Sequence, residues 1–198
     1  MKKLLFPFIV VVLFGSFVSS LHAEIRPWDI DQEHTNFYFT VDHVYASVRG
    51  RFTDFTGTLL FDPDNLKESK ISFEIKVKSI DTGVSKRDRH LLSEDFFDAS
   101  KYPLMSYTSD SITRSGENTF NVNGKLLVKG ASYDLVLPLT FLGKKDHPLV
   151  NGMEVIGFTG RLTLDRLVYK VGNGKYYQMG AVGKDVDVLV TIEALRKK

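Results

Sequence analysis

Apolar and polar residues alternate with a period of two along most of the chain. Phe37, Phe39 and Val41 alternate with Asn36, Tyr38 and Thr40, while Ile71, Phe73, Ile75 and Val77 alternate with Ser72, Glu74, Lys76 and Lys78. Successive strand side chains point to opposite faces, so this beat predicts half-buried β-strands. It returns in Phe120, Val122, Gly124, Leu126 and Val128, in Tyr133, Leu135, Leu137, Leu139 and Phe141, and in Val186, Val188, Val190 and Ile192. Residues 48–61, 104–111 and 153–165 bring the expectation to about eight strands. Turn chemistry separates the runs at Asp62-Pro63-Asp64-Asn65, Ser115-Gly116-Glu117-Asn118, Lys129-Gly130, Asn151-Gly152 and Gly172-Asn173-Gly174.

Short spacings between runs, without repeated strand-helix alternation, favour an antiparallel meander over a parallel sheet. The fold class is therefore all-β: an antiparallel barrel of about eight strands with a short helical insertion. Residues 131–142 alone would extend roughly 40 Å at about 3.3 Å per residue, enough for a barrel about 30 Å tall. Pro138 inside that run lacks a ladder donor and predicts a bulge or a weakly paired stretch. The insertion comes from residues 84–92 and 93–98, which break the alternation. They predict a helix capped by Gly83 or Ser85 and a second short helix capped by Ser93, sharing an apolar face of Leu91, Leu92, Phe96 and Phe97. Placed between the third and fourth strands, they would sit over one barrel end.

A barrel of this size is filled by side chains or holds one small ligand. Gly50, Gly57, Gly124 and Gly157 fall on strands rather than turns. They predict either unfilled space inside the barrel or local bulges.

Composition narrows the chemistry. The chain has 198 residues, 43% hydrophobic and 12% aromatic, which supplies a sizeable core and excludes wholesale disorder. It has no cysteine, which excludes disulfides, thiolate nucleophiles, iron–sulfur clusters and attachment of a lipid to an N-terminal cysteine. Residues 1–23 combine Lys2 and Lys3, an apolar run and the small residue Ala23. That layout predicts a secretory signal peptide cleaved near Ala23, followed by one domain over residues 24–198 in the periplasm or secreted. Of 26 Lys and Arg, removing Lys2 and Lys3 leaves 24 against 24 Asp and Glu. A neutral mature chain gives no electrostatic basis for binding nucleic acid.

Catalytic signals are weak. His34, His43, His90 and His147 have no ligand spacing, and Ser85, Asp88 and His90 lack a Gly-x-Ser-x-Gly elbow. No catalytic residue, metal site or cofactor is expected.

Several spaced motifs carry a family resemblance. They are Phe37-Tyr38-Phe39-Thr40-Val41-Asp42-His43, Val48-Arg49-Gly50-Arg51-Phe52-Thr53-Asp54-Phe55-Thr56-Gly57, Ser79-Ile80-Asp81-Thr82, Arg87-Asp88-Arg89-His90-Leu91, Asp95-Phe96-Phe97-Asp98, Tyr102-Pro103 and Gly124-Lys125-Leu126-Leu127-Val128-Lys129-Gly130. Together the chain from about Trp28 to Glu193 resembles the YceI-like family. The resemblance implies a periplasmic, lipocalin-like barrel that holds a polyisoprenoid or similar long apolar chain for transport, storage or sequestration, without enzymatic activity. It differs at Leu167-Val168-Tyr169, where the family commonly has an aromatic-glycine pair.

The inner positions agree with such a ligand, because Phe37, Phe39, Val41, Phe52, Phe73, Ile75, Leu126, Leu135 and Leu137 carry no charge. Each CH₂ removed from water contributes about 0.8 kcal/mol, so a chain of roughly 20 carbons gains on the order of 16 kcal/mol before association costs of about 4 to 15 kcal/mol. Arg87, Asp88 and His90 match the family motif and have two readings: contact with a polar lipid head, or hydrogen bonds that fix the insertion to the barrel. His43, ending its apolar run, carries the same pair of readings, as ligand contact or as a hydrogen-bonded strand end. The expected partner is an amphiphilic lipid, with transient membrane contact. The alternative function is a secreted barrel with a filled core whose surface binds another protein.

Overall fold

The computed structural model describes residues 25–198, and the expected signal peptide lies outside the described residues. Eleven strand segments form one antiparallel sheet: β1 (Asp29–Ile30), β2 (Asn36–His43), β3 (Ala46–Phe52), β4 (Phe55–Leu60), β5 (Lys70–Lys76), β6 (Ile80–Asp81), β7 (Leu104–Arg114), β8 (Thr119–Val128), β9 (Ala131–Asp146), β10 (Met153–Asp165) and β11 (Val182–Lys197). Helix α1 (Ser85–Leu92) follows β6, and the single turn α2 (Lys175–Gln178) precedes β11. No helix among the described residues is long and apolar enough to cross a membrane.

The sheet runs β4-β5-β7-β8-β9-β10-β11-β2-β3-β6, with β1 added to β11. It curls until its ends meet through two short joins. The β3–β6 ladder joins Arg51 to Asp81 and Phe52 to Ile80, and a single bridge joins Trp28 to Leu59 of β4. The expected strand at residues 48–61 is thus two strands, broken at Thr53 and Asp54. There the chain changes partner: the Thr53 amide donates to Ser79 O and Asp54 O accepts from the Lys76 amide. Counting β1–β2, β3–β4 and β5–β6 as three interrupted strands beside the five of β7 to β11 recovers eight.

Local chemistry explains the hairpins. Lys129 and Gly130 both lie in the left-handed region, at φ 49° and 74°, between the paired Val128 and Ala131. Such a two-residue turn matches the right-handed strand twist. Pro138 does not make a bulge: it pairs with Asn121 in an unbroken β8–β9 register. Its missing donor falls on the other side, where the β9–β10 ladder ends at Thr140 and Thr159, two residues away. The β9–β10 irregularity lies instead at Gly157 and Phe158.

The insertion also differs from expectation. Helix α1 forms, but its N-cap is Val84 without a side-chain cap, and residues 93–98 make turns rather than a second helix. Asp98 at φ 50° closes those turns, its amide donating to Ser93 O.

The strand glycines do not open space. An added Cβ at Gly50 would fall 2.4 Å from the Phe39 ring, and one at Gly57 would fall 2.5 Å from the Phe73 ring. Each aromatic side chain lies over its cross-strand glycine and fills the place a side chain would take. Gly124 faces the β7 bulge at Ser109 to Ser111, and Gly157 belongs to the β10 irregularity.

Side chains pack one end of the barrel solidly. The Phe61 ring meets Phe120, Phe141 and Phe158 at centroid distances of 5.2, 5.6 and 4.8 Å. Trp28 lies beside Phe61, its indole N–H donating to Phe61 O at 3.2 Å. Arg196 stacks 3.9 Å over the indole and binds Glu154 at 2.8 Å. Ile156, Leu139, Ile192 and Ala194 complete this buried cluster.

Candidate functional site

At the other end, the lumen is open. A cavity of about 230 Å³ lies beneath α1 and the turns that follow it. The division runs through individual strands: on β9, Leu135 and Leu137 line the cavity while Leu139 joins the packed cluster. On β11, Val186 and Val188 line it while Val190 and Ile192 are packed.

Nine of the thirteen expected binding residues line this cavity: Phe37, Phe39, Val41, Phe52, Phe73, Ile75, Leu126, Leu135 and Leu137. Phe37 and Phe73, 4.9 Å apart, form part of its floor, and Phe55 packs behind Phe37 at 5.0 Å. Leu91, Phe96 and Phe97 of the insertion form its roof, Phe97 meeting Phe52 edge-on at 5.9 Å. The helical segment therefore covers the open end with hydrocarbon, although α1 itself buries no residue fully.

The wall is almost wholly apolar. Where a polar atom approaches, it is turned into the wall: the buried Tyr107 hydroxyl donates to Val122 O at 2.8 Å. Burial, with Asp110 nearby, pushes its pKa far up, so the phenol stays neutral. Tyr38, Ser106, Arg166 and Tyr169 are the other polar residues of a lining that is otherwise apolar, and the cavity has the character of a binding space.

The remaining four expected residues lie elsewhere. Arg87 and Asp88 converge on Thr82, just after β6. Asp88 Oδ1 accepts from the Thr82 amide at 3.0 Å and from its hydroxyl, while Arg87 donates to Thr82 Oγ1 and O, each at 2.7 Å. This cluster ties α1 to the sheet. His90 faces Asp95 at 2.9 Å and packs edge-on against Phe96 and Tyr176. His43 stands exposed at the end of β2, and no hydrogen bond fixes its ring among the described residues.

The four histidines do not converge. His34 meets Asp31 at 2.8 Å and Glu193 at 4.0 Å at the packed end, where ligand atoms of the three residues lie within 4.8 Å of one another. Asp31 is already engaged there, since its Oδ1 accepts the Glu33 and His34 amides in a tight turn. His147 likewise accepts the amides of Leu149 and Val150.

Arg166 belongs to no motif that would single it out in the sequence. It follows β10, is only 7% exposed, and lines the cavity beside Tyr169 and Val171. Its Nε donates to Gly183 O at 2.8 Å, and its two terminal nitrogens donate to Val171 O at 2.9 Å and Val182 O at 3.3 Å. Burial lowers its pKa against the opposing pull of Asp165, but a guanidinium remains protonated. Its role in the architecture is to pin residues 166–172 against β11, so that Tyr169 and Val171 close the cavity rim. Gly172, at φ 92°, makes room: a Cβ there would lie 2.3 Å from the guanidinium. In the sequence Arg166 reads as one more charge at a strand end. Leu162, Leu164, Val186 and Val188, by contrast, were reachable by extending the period-two beat.

Comparison with known proteins accords with this architecture. The YceI-like domain model matches residues 28–194. A UPF0312 protein of Pseudomonas syringae pv. tomato is 32% identical over 191 residues, covering 95% of this chain and 96% of its own length. Protein YceI of Escherichia coli is 29% identical over the full length of both chains. Among solved structures, Burkholderia cenocepacia BcnA superposes with a TM-score of 0.74 at 25% identity, over 84% of this chain and 99% of its own. A polyisoprenoid binding domain from Saccharophagus degradans shares the fold, with a TM-score of 0.63 at 12% identity over 86% of this chain and 98% of its own. With its family motifs, its curled antiparallel sheet and its match over residues 28–194, the chain belongs to the YceI-like domain family.

Proposed function

We infer that this protein is exported and carries or sequesters an amphiphilic lipid, whose apolar chain occupies the open half of the barrel. The observation that supports this is the cavity wall, built from Phe, Leu, Ile and Val side chains with its one buried phenol turned away. Such a wall gains from burying hydrocarbon and offers a polar group few partners, Arg166 being at the rim. The polar head therefore stays at or beyond the mouth. A neighbour of the same fold, described as a polyisoprenoid binding domain, is compatible with this ligand class.

The cavity's size shapes the reading. About 230 Å³ falls below the roughly 300–1,000 Å³ common for small-molecule pockets. A chain of about 20 carbons cannot be wholly enclosed in this conformation, and the remainder extends through the mouth. Half-buried Met105, Leu126 and Leu135 are the lining side chains placed to move aside.

Native mass spectrometry and solvent extraction of the protein purified from its own compartment test the reading. The expected result is a mature N-terminus near Glu24 and one enriched lipid with a long apolar chain. Extracts no richer in lipid than those of a mock purification would refute it.

A further inference from the structure

Besides Leu142, Leu149 and Val150 near the connection between β9 and β10, the chain leaves apolar side chains in water at the open end of the barrel. The two-residue turn between β2 and β3 is Val44-Tyr45, with Val44 58% exposed and Tyr45 fully exposed. Tight hairpin turns favour Asn or Gly, because the left-handed region crowds a Cβ, and a branched one most of all. Val44 nevertheless sits there, at φ 53°. The turn thus concentrates backbone strain and unburied hydrocarbon at one position, and neither helps the barrel to pack.

The tip is not isolated. The Val44 amide donates to Ala181 O at 3.2 Å, which sets it beside the end of α2, where Tyr177 and Met179 are exposed. These four side chains lie immediately outside the cavity wall, since His43, next to the tip, pairs with Val182, and both Val182 and Val41 line the cavity. Four bases at this end have no acidic partner among the described residues. Lys86 and Arg89 on α1, Lys170 on the rim and Lys175 on α2 are exposed, and none forms an ion pair among the described residues. Of the acidic groups nearby, Asp165 and Asp185 hold Lys184, Asp95 faces His90, Asp88 accepts from Thr82, Asp42 accepts from Ser47, Asp81 accepts from the Gly83 amide, and Glu94 is exposed.

We propose that the Val44-Tyr45 tip, together with Tyr177 and Met179, is a docking patch that enters the interfacial layer of an anionic lipid bilayer and sets the cavity mouth against it. This rests on the carrier reading above, since a lipid must leave a membrane through that mouth. Aromatic and aliphatic side chains gain by burial at the interface, and the free lysines and arginine are drawn to anionic head groups. A protein partner could also cover exposed hydrocarbon, but it would give no reason for its position at the lipid entrance.

The test uses the mature full chain and the double variant Val44→Asn, Tyr45→Ser. Co-sedimentation is measured with vesicles of phosphatidylcholine containing phosphatidylglycerol, and transfer of a pyrene-labelled fatty alcohol is followed between such vesicles. The variant should bind vesicles at least about tenfold more weakly and transfer the probe correspondingly more slowly, as expected from losing two apolar side chains at the interface. Loading of the same probe in vesicle-free solution should not change. The thermal midpoint should not fall, because Asn tolerates left-handed backbone. Added salt should weaken wild-type binding to these vesicles. A variant that docks and transfers like the wild type overturns the proposal, as does a wild type that loads the probe yet ignores vesicles, or a variant that changes only oligomeric state. Failure of the wild type to load the probe overturns the carrier reading itself.

Discussion

Asp31 and His34 show how one turn uses two titratable side chains. The hydrogen bond to Asp31 holds His34 above its usual value of 6.5. For Asp31, burial works to raise the pKa, but His34 and two backbone amides outweigh it and hold the carboxyl below 3.8. A raised histidine contributes stability below its unfolded pKa and loses it as pH rises through the folded one. A depressed carboxyl contributes above its unfolded pKa and loses it as pH falls through the folded one. The pair therefore acts most fully between pH 3.8 and 6.5. Histidine NMR titration should place His34 above 6.5 and return it toward that value in Asp31→Asn. A midpoint indifferent to the substitution would refute the coupling. Asp88 is a second residue with a definite prediction. Asp88→Ala leaves both Thr82 donors without their acceptor and should cost about 1 to 3 kcal/mol in denaturant unfolding. It should leave cargo preference alone; lost selectivity at unchanged stability would instead assign Asp88 to the lipid head.

At the scale of elements, cross-strand packing sets what each glycine tolerates. Gly124 on β8 is buried against β7, where a Cβ would lie 2.3 Å from Thr108 O and 2.9 Å from Ser109 Cα. Backbone cannot rotate aside as a side chain can. Gly124→Ala should therefore destabilise the fold by about 1 to 3 kcal/mol. Gly157→Ala meets nothing closer than 3.7 Å and should stay within about 0.5 kcal/mol of the parent. Equal midpoints for the two variants would contradict the β7 bulge. The helical insertion teaches a related lesson. Its apolar residues were evident in sequence, but Phe96 and Phe97 reach the cavity from turns rather than from a second helix. Local propensity could not reveal this, because residues 93–98 are held by bonds among themselves and by packing onto the barrel.

For the whole molecule, the division between a packed and an open half is the feature most open to experiment. Leu137 stands at the boundary: it belongs to the buried core and also lines the cavity. Leu137→Trp has room to direct its ring into the open half. Lipid retention should fall sharply while stability changes little, with both measured on one preparation. If the cavity were closed in solution, the larger ring would cost about 1 to 3 kcal/mol by overpacking. Strong destabilisation together with no lipid on the parent protein would eliminate the carrier reading.

The sequence by itself determined the strands, because a period of two records which face of each strand is buried, and Lys129-Gly130 and its fellow turns fix where strands reverse. It also determined that the inner face is hydrocarbon. It could not determine that the same inward beat, continued along one strand, is solid at Leu139 and hollow at Leu135. That depends on four phenylalanines, Phe61, Phe120, Phe141 and Phe158, brought together from distant parts of the chain. The tertiary structure alone likewise decided that Arg87 and Asp88 meet at Thr82 rather than at the cavity, and that Arg166 holds the rim. Those contacts are made across folded elements, and no spacing in the chain encodes their direction.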